Sequence, residues 1–176
     1  MNSCDGYYEL ASGGDSLYMR VVGLATMYNV GAARDLLARE TCQGKKRVIF
    51  DLDKCEGMDS TFLGVIAGVA LEDAGHTVDI INADEENMRL LEGLGLTEIV
   101  NVVSGQVAPP EGKLTPIYDR TEENERLELV LSAHNELIKL SDENEAVFGD
   151  LVRQIEKEAK QRGLSTDKGD ESEDKP

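Results

Sequence analysis

Hydrophobic residues in the first hundred positions follow two alternating periodicities. Segments in which every second residue shares one face, as in a strand, are followed by segments with apolar residues three or four positions apart, as in a helix. The clearest strand is Lys46 to Asp53, where Val48, Phe50 and Leu52 lie on one side. The pattern predicts strands at residues 7–10, 16–24, 46–53, 77–83 and 98–103, and helices at residues 30–40, 60–74 and 85–94. This order predicts an α/β layer fold with parallel strand pairs.

Small polar residues and glycines mark the ends of these elements. Residues 12–15, with the sequence SGGD, predict a hairpin turn between the first two strands. Asn29, Asp59 and Asp84 each precede a predicted helix, and such side chains accept hydrogen bonds from the free amides of a first turn. Residues 1–105 are therefore predicted to form a single domain.

The remainder of the chain has a different character. Residues 106–118 contain three of the four prolines and predict a linker. Residues 119–162 predict an amphipathic helical extension, with Asp119 as the N-cap and Glu122 three positions later. The pattern allows either a helical hairpin or one long helix kinked near Ser141. The apolar stripes need cover from the domain, from each other or from a second copy, and self-association is slightly favoured. Residues 163–176 predict a disordered acidic tail.

Composition narrows the classes of partner. The 176-residue chain has a net charge of -17 at pH 7, which disfavours binding to nucleic acid or to an anionic membrane and favours a basic protein surface. The chain has neither a stretch long enough to span a membrane nor the pattern of a signal peptide, so a cytoplasmic protein is expected. Its three cysteines are too widely spaced to suggest a disulfide framework or a metal cluster.

The acidic turn after the third strand permits two interpretations from residue chemistry alone. The run VIFDLD resembles haloacid-dehalogenase-type phosphatases, in which Asp51 would be the nucleophile and Asp53 the acid/base beside magnesium. However, Lys54 and Cys55 follow where that family continues with glycine and then threonine or valine, and the chain is short for its later motifs. The other interpretation is purely structural, with Asp59 as an N-cap, the next two residues as first-turn residues, and Asp51 and Asp53 as a solvated strand end.

A third interpretation comes from resemblance to a family. The strand VIFDLD is followed by a short turn, by MDST, by LGV and by a helix of small residues. This run, from residue 48 to residue 70, resembles the signature of STAS domains, in particular bacterial anti-sigma factor antagonists. A second stretch, from NMRLL through GLGL to Ile99, resembles that family's third helix and the strand entry after it. The resemblance spans residues 5 to 105 and implies a STAS-like mixed β-sheet with packed helices, followed here by the C-terminal extension.

The resemblance implies a phosphorylation switch. It makes Ser60 the phosphate acceptor, with Thr61 as a second acceptor. In the family, a serine-kinase anti-sigma factor binds the unmodified protein and phosphorylates it, and a metal-dependent serine phosphatase removes the phosphate. Residues around the acceptor would contact the partner: Asp53, Glu56, Asp59, Ser60, Thr61, Phe62 and Asn29.

A phosphate on Ser60 is expected to alter binding rather than folding. Free amides and the helix dipole at the helix start should accommodate it, so the fold should remain intact while the partner is released. A switch protein of this family that controls another output is the alternative.

Two positions depart from the family pattern. Phe62 replaces a usual glycine, which could alter how a partner contacts the site, and the loop at residues 23–30 lacks a usual acidic residue.

His76 and His134 are interpreted as structural or solvated, because neither has an identifiable catalytic partner. The sequence predicts no catalytic residue, cofactor or metal site.

Overall fold

The computed structural model describes residues 6–72, 75–104, 107–110 and 113–164. Its strands are β1 (Tyr7–Gly13), β2 (Ser16–Ala25), β3 (Arg47–Met58), β4 (Thr77–Ile81), β5 (Asn101–Val103) and β6 (Thr115–Ile117). Its helices are α1 (Val30–Cys42), α2 (Ser60–Leu71), α3 (Glu85–Gly93), α4 (Glu123–Ile138) and α5 (Asp142–Gln161). The predicted α/β class and the order of the first eight elements are confirmed.

The six strands form one mixed sheet in the order β5-β4-β3-β2-β1-β6. β1 and β2 form the predicted antiparallel hairpin, and the pairs β2–β3, β3–β4 and β4–β5 are parallel. The described strands thus comprise a parallel half, which the α-helical crossovers require, and an antiparallel edge.

One face of the sheet carries the helices and the main core. Alternate strand residues pack there against α1, α2 and α3 in a single hydrophobic cluster that includes Leu17, Met19, Phe50, Ile80, Leu37, Phe62, Ile66 and Leu91. The opposite face holds a smaller cluster of Ala11, Tyr18, Ile49 and Ile81, against which Val107 and Leu114 pack. Within the described ranges, no helix is both long and apolar enough to cross a membrane.

The C-terminal extension is a helical hairpin, which settles the choice that the sequence left open. α5 begins after Ser141, whose side chain accepts a hydrogen bond from the Asn144 amide at 3.1 Å. Arg162, just after α5, lies 2.9 Å from Glu123 at the start of α4, so the two helices run antiparallel. Their facing side chains form a cluster of Val130, Leu131, Val152 and Ile155.

The hairpin packs on the domain through α4, which lies along α2. Leu129, Ala133 and Leu137 of α4 are buried in the main core cluster. The two backbones are so close at Gly64 that a Cβ there would lie 2.3 Å from the Ala133 carbonyl oxygen. Packing within the chain therefore covers this apolar stripe, and self-association through the hairpin stays a prediction.

Three boundaries from the sequence are wrong. The predicted linker contains β6, which pairs with β1 and extends the sheet. The last strand of the domain begins at Asn101 rather than at residue 98, because residues 96–98 form a 3₁₀ turn after Gly95. Asp119 does not cap α4: Glu122 is its N-cap, in a capping box with Glu125.

The Asp119 carboxylate instead caps a distant helix. It accepts a hydrogen bond from the Ala32 amide at 2.9 Å, in the first turn of α1. The side chain of Asn29, the predicted N-cap of α1, makes no cap hydrogen bond. The predicted acidic tail lies outside the described residues, except for Gly163 and Leu164.

Candidate functional site

Ser60 is the first residue of α2, directly after the turn that ends β3. The preceding residue, Asp59, caps the helix as predicted, because its Oδ1 accepts a hydrogen bond from the Phe62 amide at 3.0 Å. Its Oδ2 accepts a second bond from the Met27 amide at 2.7 Å, which ties the β2–α1 loop to the helix start. Asp59 thus fixes the position from which the Ser60 side chain projects.

The Ser60 hydroxyl is hydrogen-bonded to a histidine of the extension. Its Oγ lies 2.9 Å from Nε2 of His134 on α4. The other ring nitrogen, Nδ1, lies 2.8 Å from the Val130 carbonyl oxygen, which can only accept, so Nδ1 carries a proton. In the neutral imidazole, Nε2 then accepts the hydroxyl proton of Ser60.

His134 is held on every side. The residue is 2% exposed, and its ring makes an edge contact with Phe148, with 5.1 Å between ring centroids. Ser60 itself is half-buried. α4 therefore covers one side of the Ser60 hydroxyl.

The sequence interpretation of His134 missed its contact with Ser60, since the two residues are 74 positions apart. One sequence feature does indicate that something covers α2. From Ser60 to Leu71 the helix has no charged side chain. A helix that is apolar on all sides needs burial on all sides, and a sheet can cover only one.

Three of the predicted partner-contact residues are buried. The prediction that a partner contacts their side chains directly is therefore wrong for this conformation. Thr61 is 2% exposed, which also removes it as a second phosphate acceptor. Phe62 is fully buried between Tyr8 and Phe50, each with ring centroids 5.9 Å from its own. A partner therefore cannot touch the side chain that departs most from the family pattern.

Asn29 is also a structural residue. It is 6% exposed, and its amide donates to the carbonyl of Leu24 at 2.7 Å while accepting from the Tyr8 hydroxyl at 3.0 Å. The remaining predicted contact residues are accessible: Asp53 and Glu56 are exposed, and Asp59 and Ser60 are half-buried. The accessible residues of the predicted site are thus three carboxylates and one hydroxyl.

Asp51 belongs to a buried polar network rather than to a phosphatase centre or, as the structural interpretation had it, to a solvated strand end; only Asp53 is exposed. The residue is 1% exposed and accepts hydrogen bonds from Arg20 at 2.8 Å, from Asn82 at 2.7 Å, from the Asp53 amide at 3.1 Å and from the Tyr18 hydroxyl. Burial alone would raise the pKa of Asp51, but these donors hold it below its usual value. Burial and the bond to Asp51 raise the pKa of Tyr18 to about 12.

This network argues against the phosphatase interpretation. The carboxylate expected to act as nucleophile already accepts four hydrogen bonds, and β3 continues for several residues beyond it instead of ending there. In the part of the chain that the structure describes, no group of three or more His, Cys, Asp or Glu side chains is placed to hold a metal ion.

Cys55 is buried, which raises the pKa of its thiol, and Cys42 is exposed.

The pair of Ser60 and His134 has the geometry of a nucleophile and its base, but it lacks two further parts of such a site. The imidazole is oriented by the carbonyl of Val130 and not by a carboxylate. α4 lies over the hydroxyl where an acyl substrate would need to approach. The arrangement instead provides a hydrogen bond from the Ser60 hydroxyl that joins α2 to α4.

Comparison with known proteins gives matches to solved structures. No protein-family model and no curated protein matches the chain. The anti-sigma factor antagonist SpoIIAA in its unphosphorylated form is 17% identical, with a TM-score of 0.51, over 56% of this chain and 88% of that one.

Two further solved structures are similar over the same share of this chain. The Bacillus cell fate determinant SpoIIAA in the phosphorylated form is 17% identical, with a TM-score of 0.48 over 56% of this chain and 91% of that one. An anti-sigma factor antagonist from Mycobacterium paratuberculosis is 14% identical, with a TM-score of 0.49 over 56% of this chain and 85% of that one. At such identities the similarity concerns the fold, and the α/β part of this chain has the STAS fold of SpoIIAA.

Proposed function

We propose that this chain is a cytoplasmic, phosphorylation-controlled binding protein of the anti-sigma factor antagonist type. A serine-kinase anti-sigma factor binds the protein when Ser60 is unmodified and releases it when Ser60 is phosphorylated. A metal-dependent serine phosphatase returns the protein to its binding form. The chain acts by binding and is not itself an enzyme.

The observation that supports this proposal most directly is the position of Ser60. It is the first residue of a rigid helix, in the STAS fold, beside a side chain that caps that helix. The next turns, from Thr61 to Ala67, are buried and hold the helix start in place. A partner therefore meets a small hydroxyl in a fixed position, which favours specific recognition.

Phosphorylation changes that recognition strongly. The Ser60 oxygen forms a bond to the γ-phosphorus of a Mg-ATP held by the partner, the bond from that phosphorus to the bridging oxygen breaks, and ADP leaves. The hydroxyl proton passes to a base of the kinase. The product has about -1.5 to -2 additional charges. Since Asp59 is the adjacent residue, a partner that docks over Ser60 would bury an unpaired dianion next to a carboxylate, at a cost of several kcal/mol.

The experiment uses the serine-kinase anti-sigma factors encoded in the same genome, each purified and incubated with this protein. Ser60→Ala should bind the cognate kinase and accept no phosphate, whereas Ser60→Asp should bind at least about 100-fold more weakly, because about 3 kcal/mol is lost. Ser132→Asp adds the same charge at an exposed position of α4 and is the matched control. Equal binding by Ser60→Ala and Ser60→Asp, or phosphate on another residue by mass spectrometry, would refute the proposal.

A further inference from the structure

The surface around Ser60 is already occupied by a segment of the same chain. We infer that the α4–α5 hairpin is the intramolecular partner of unmodified Ser60, and that phosphorylation of Ser60 displaces α4 from α2. The inference rests on the proposed function for the source of the phosphate. It adds a regulatory element: the kinase must compete with the hairpin for Ser60, and the phosphate excludes both.

The first argument is the geometry of the contact between Ser60 and His134. The two atoms are 2.9 Å apart, which is the separation of a hydrogen bond and leaves no space for a phosphorus and three oxygens. The imidazole cannot turn aside, because Nδ1 is bonded to the Val130 carbonyl and Phe148 packs on the ring. A phosphate that projects along the present direction of the hydroxyl therefore requires α4 to move.

The second argument is the tight packing of the two helices one turn further on. The missing side chain of Gly64 allows the backbone of Ala133 to lie against α2. Leu129 and Leu137, on either side of that contact, are 1% and 0% exposed. No partner can reach this face of α2 while α4 occupies it, so docking of the hairpin and docking of a partner there exclude each other.

The third argument is charge. α4 has four glutamates and one arginine, and Asp59 lies directly beside the acceptor. A dianion at Ser60 would add to this negative field. The sequence predicted that the helix N-terminus accommodates the phosphate without a change in the fold, but that expectation did not include an acidic helix in contact with the hydroxyl.

Coupling between the two events is reciprocal. If phosphate on Ser60 weakens docking of the hairpin by some factor, then docking of the hairpin weakens phosphorylation by the same factor at equilibrium. The docked hairpin thus disfavours phosphorylation of Ser60, and release of the hairpin exposes the stripe of Leu129, Ala133 and Leu137.

The test places phosphoserine at position 60 during translation by amber suppression, so that no kinase is needed. Hydrogen exchange is then read by mass spectrometry for peptides of α4 and of β3 in the same sample. The matched control has phosphoserine at Ser132, which adds the same group to an exposed position of α4. We expect exchange in α4 to rise about tenfold or more with phosphoserine at Ser60, while β3 and the Ser132 control keep the exchange of the unmodified protein.

Each other outcome overturns the inference. Unchanged or slower exchange in α4 would mean that His134 binds the phosphate or that the phosphate turns to solvent with the hairpin docked. Equally fast exchange in α4 and β3 would mean that the phosphate unfolds the whole domain, and an equal rise in the Ser132 control would mean that added charge alone loosens α4. The proposed function fails separately, if no kinase of the genome phosphorylates Ser60, because this experiment does not use one.

Discussion

Gly64→Ala tests the packing of the hairpin without changing any charge. The added Cβ would lie 2.3, 2.6 and 2.8 Å from the carbonyl oxygen, the carbonyl carbon and the Cα of Ala133. These are backbone atoms, so the contact can be relieved only if α4 moves away from α2. The chain offers a matched control in Gly68, one turn later on α2, where an added Cβ would meet only the flexible side chain of Glu136 at 3.4 Å.

The two substitutions should have opposite effects on the free energy of unfolding. Alanine in place of glycine inside a helix stabilises by about 1 kcal/mol, and Gly68→Ala should gain up to that amount. Gly64→Ala gains the same term but adds an overpacking cost of about 1–3 kcal/mol. It also exposes part of Leu129 and Leu137, each worth about 1.5–3 kcal/mol when fully buried. We expect a net loss of about 2 kcal/mol, and a difference of about 3 kcal/mol between the variants.

Urea unfolding at pH 7 measures the two free energies, and hydrogen exchange locates the change. In Gly64→Ala the amides of α4 should exchange faster while those of β3 do not, because the domain stays folded when the hairpin is loosened. If Gly64→Ala is as stable as Gly68→Ala, with α4 equally protected, then α4 does not pack on α2 in the way described here.

Three further predictions concern single contacts. Ser60→Ala and His134→Ala should show a coupling of about 1 kcal/mol in a double-mutant cycle by urea unfolding, because each removes the same hydrogen bond; strictly additive effects would contradict that bond. Asp51→Asn should lower the free energy of unfolding by about 3 kcal/mol at pH 7, because it breaks the ion pair with Arg20. Since the pKa of Asp51 is lowered in the folded protein, its contribution is present above the unfolded pKa of about 4 and is lost as pH falls further. The difference from wild type should therefore shrink between pH 4 and the folded pKa, and a constant difference would refute the assignment. Asp119→Ala should cost about 1 kcal/mol and speed exchange in the first turn of α1; faster exchange in α4 alone would restore the sequence interpretation of this residue as its cap.

Local patterns in the sequence were sufficient to predict most of the domain. The periodicity that predicts a strand or a helix involves only residues about ten positions apart or fewer. β3 and α2 can therefore be predicted from residues 46–71 without knowledge of any distant contact. Asp59 caps the helix that directly follows it, and this too is a local relation. The position of Ser60 at the helix start was therefore predictable, and the resemblance to STAS domains pointed to the fold that the structure has.

Burial around Ser60 was only partly predictable. Phe62 lies four residues before Ile66 on a helix without charges, so its place in the core agrees with the pattern. Asn29 is a polar residue in a loop, and only the hydrogen bonds to Tyr8 and Leu24 explain why it is buried. A polar side chain is placed inside by its partners, and these cannot be read from its own segment.

By itself the sequence determined the first eight strands and helices, their order and the residue at the start of α2. Only the tertiary structure decided that residues 115–117 form an edge strand on β1, that Asp119 caps α1, and that His134 accepts a hydrogen bond from Ser60. The last two contacts join residues 87 and 74 positions apart, and a capping carboxylate or a histidine on an amphipathic helix fits many partners equally well. Which one it meets depends on how the hairpin packs on the sheet and its helices, because that packing sets the distances across which a hydrogen bond can form.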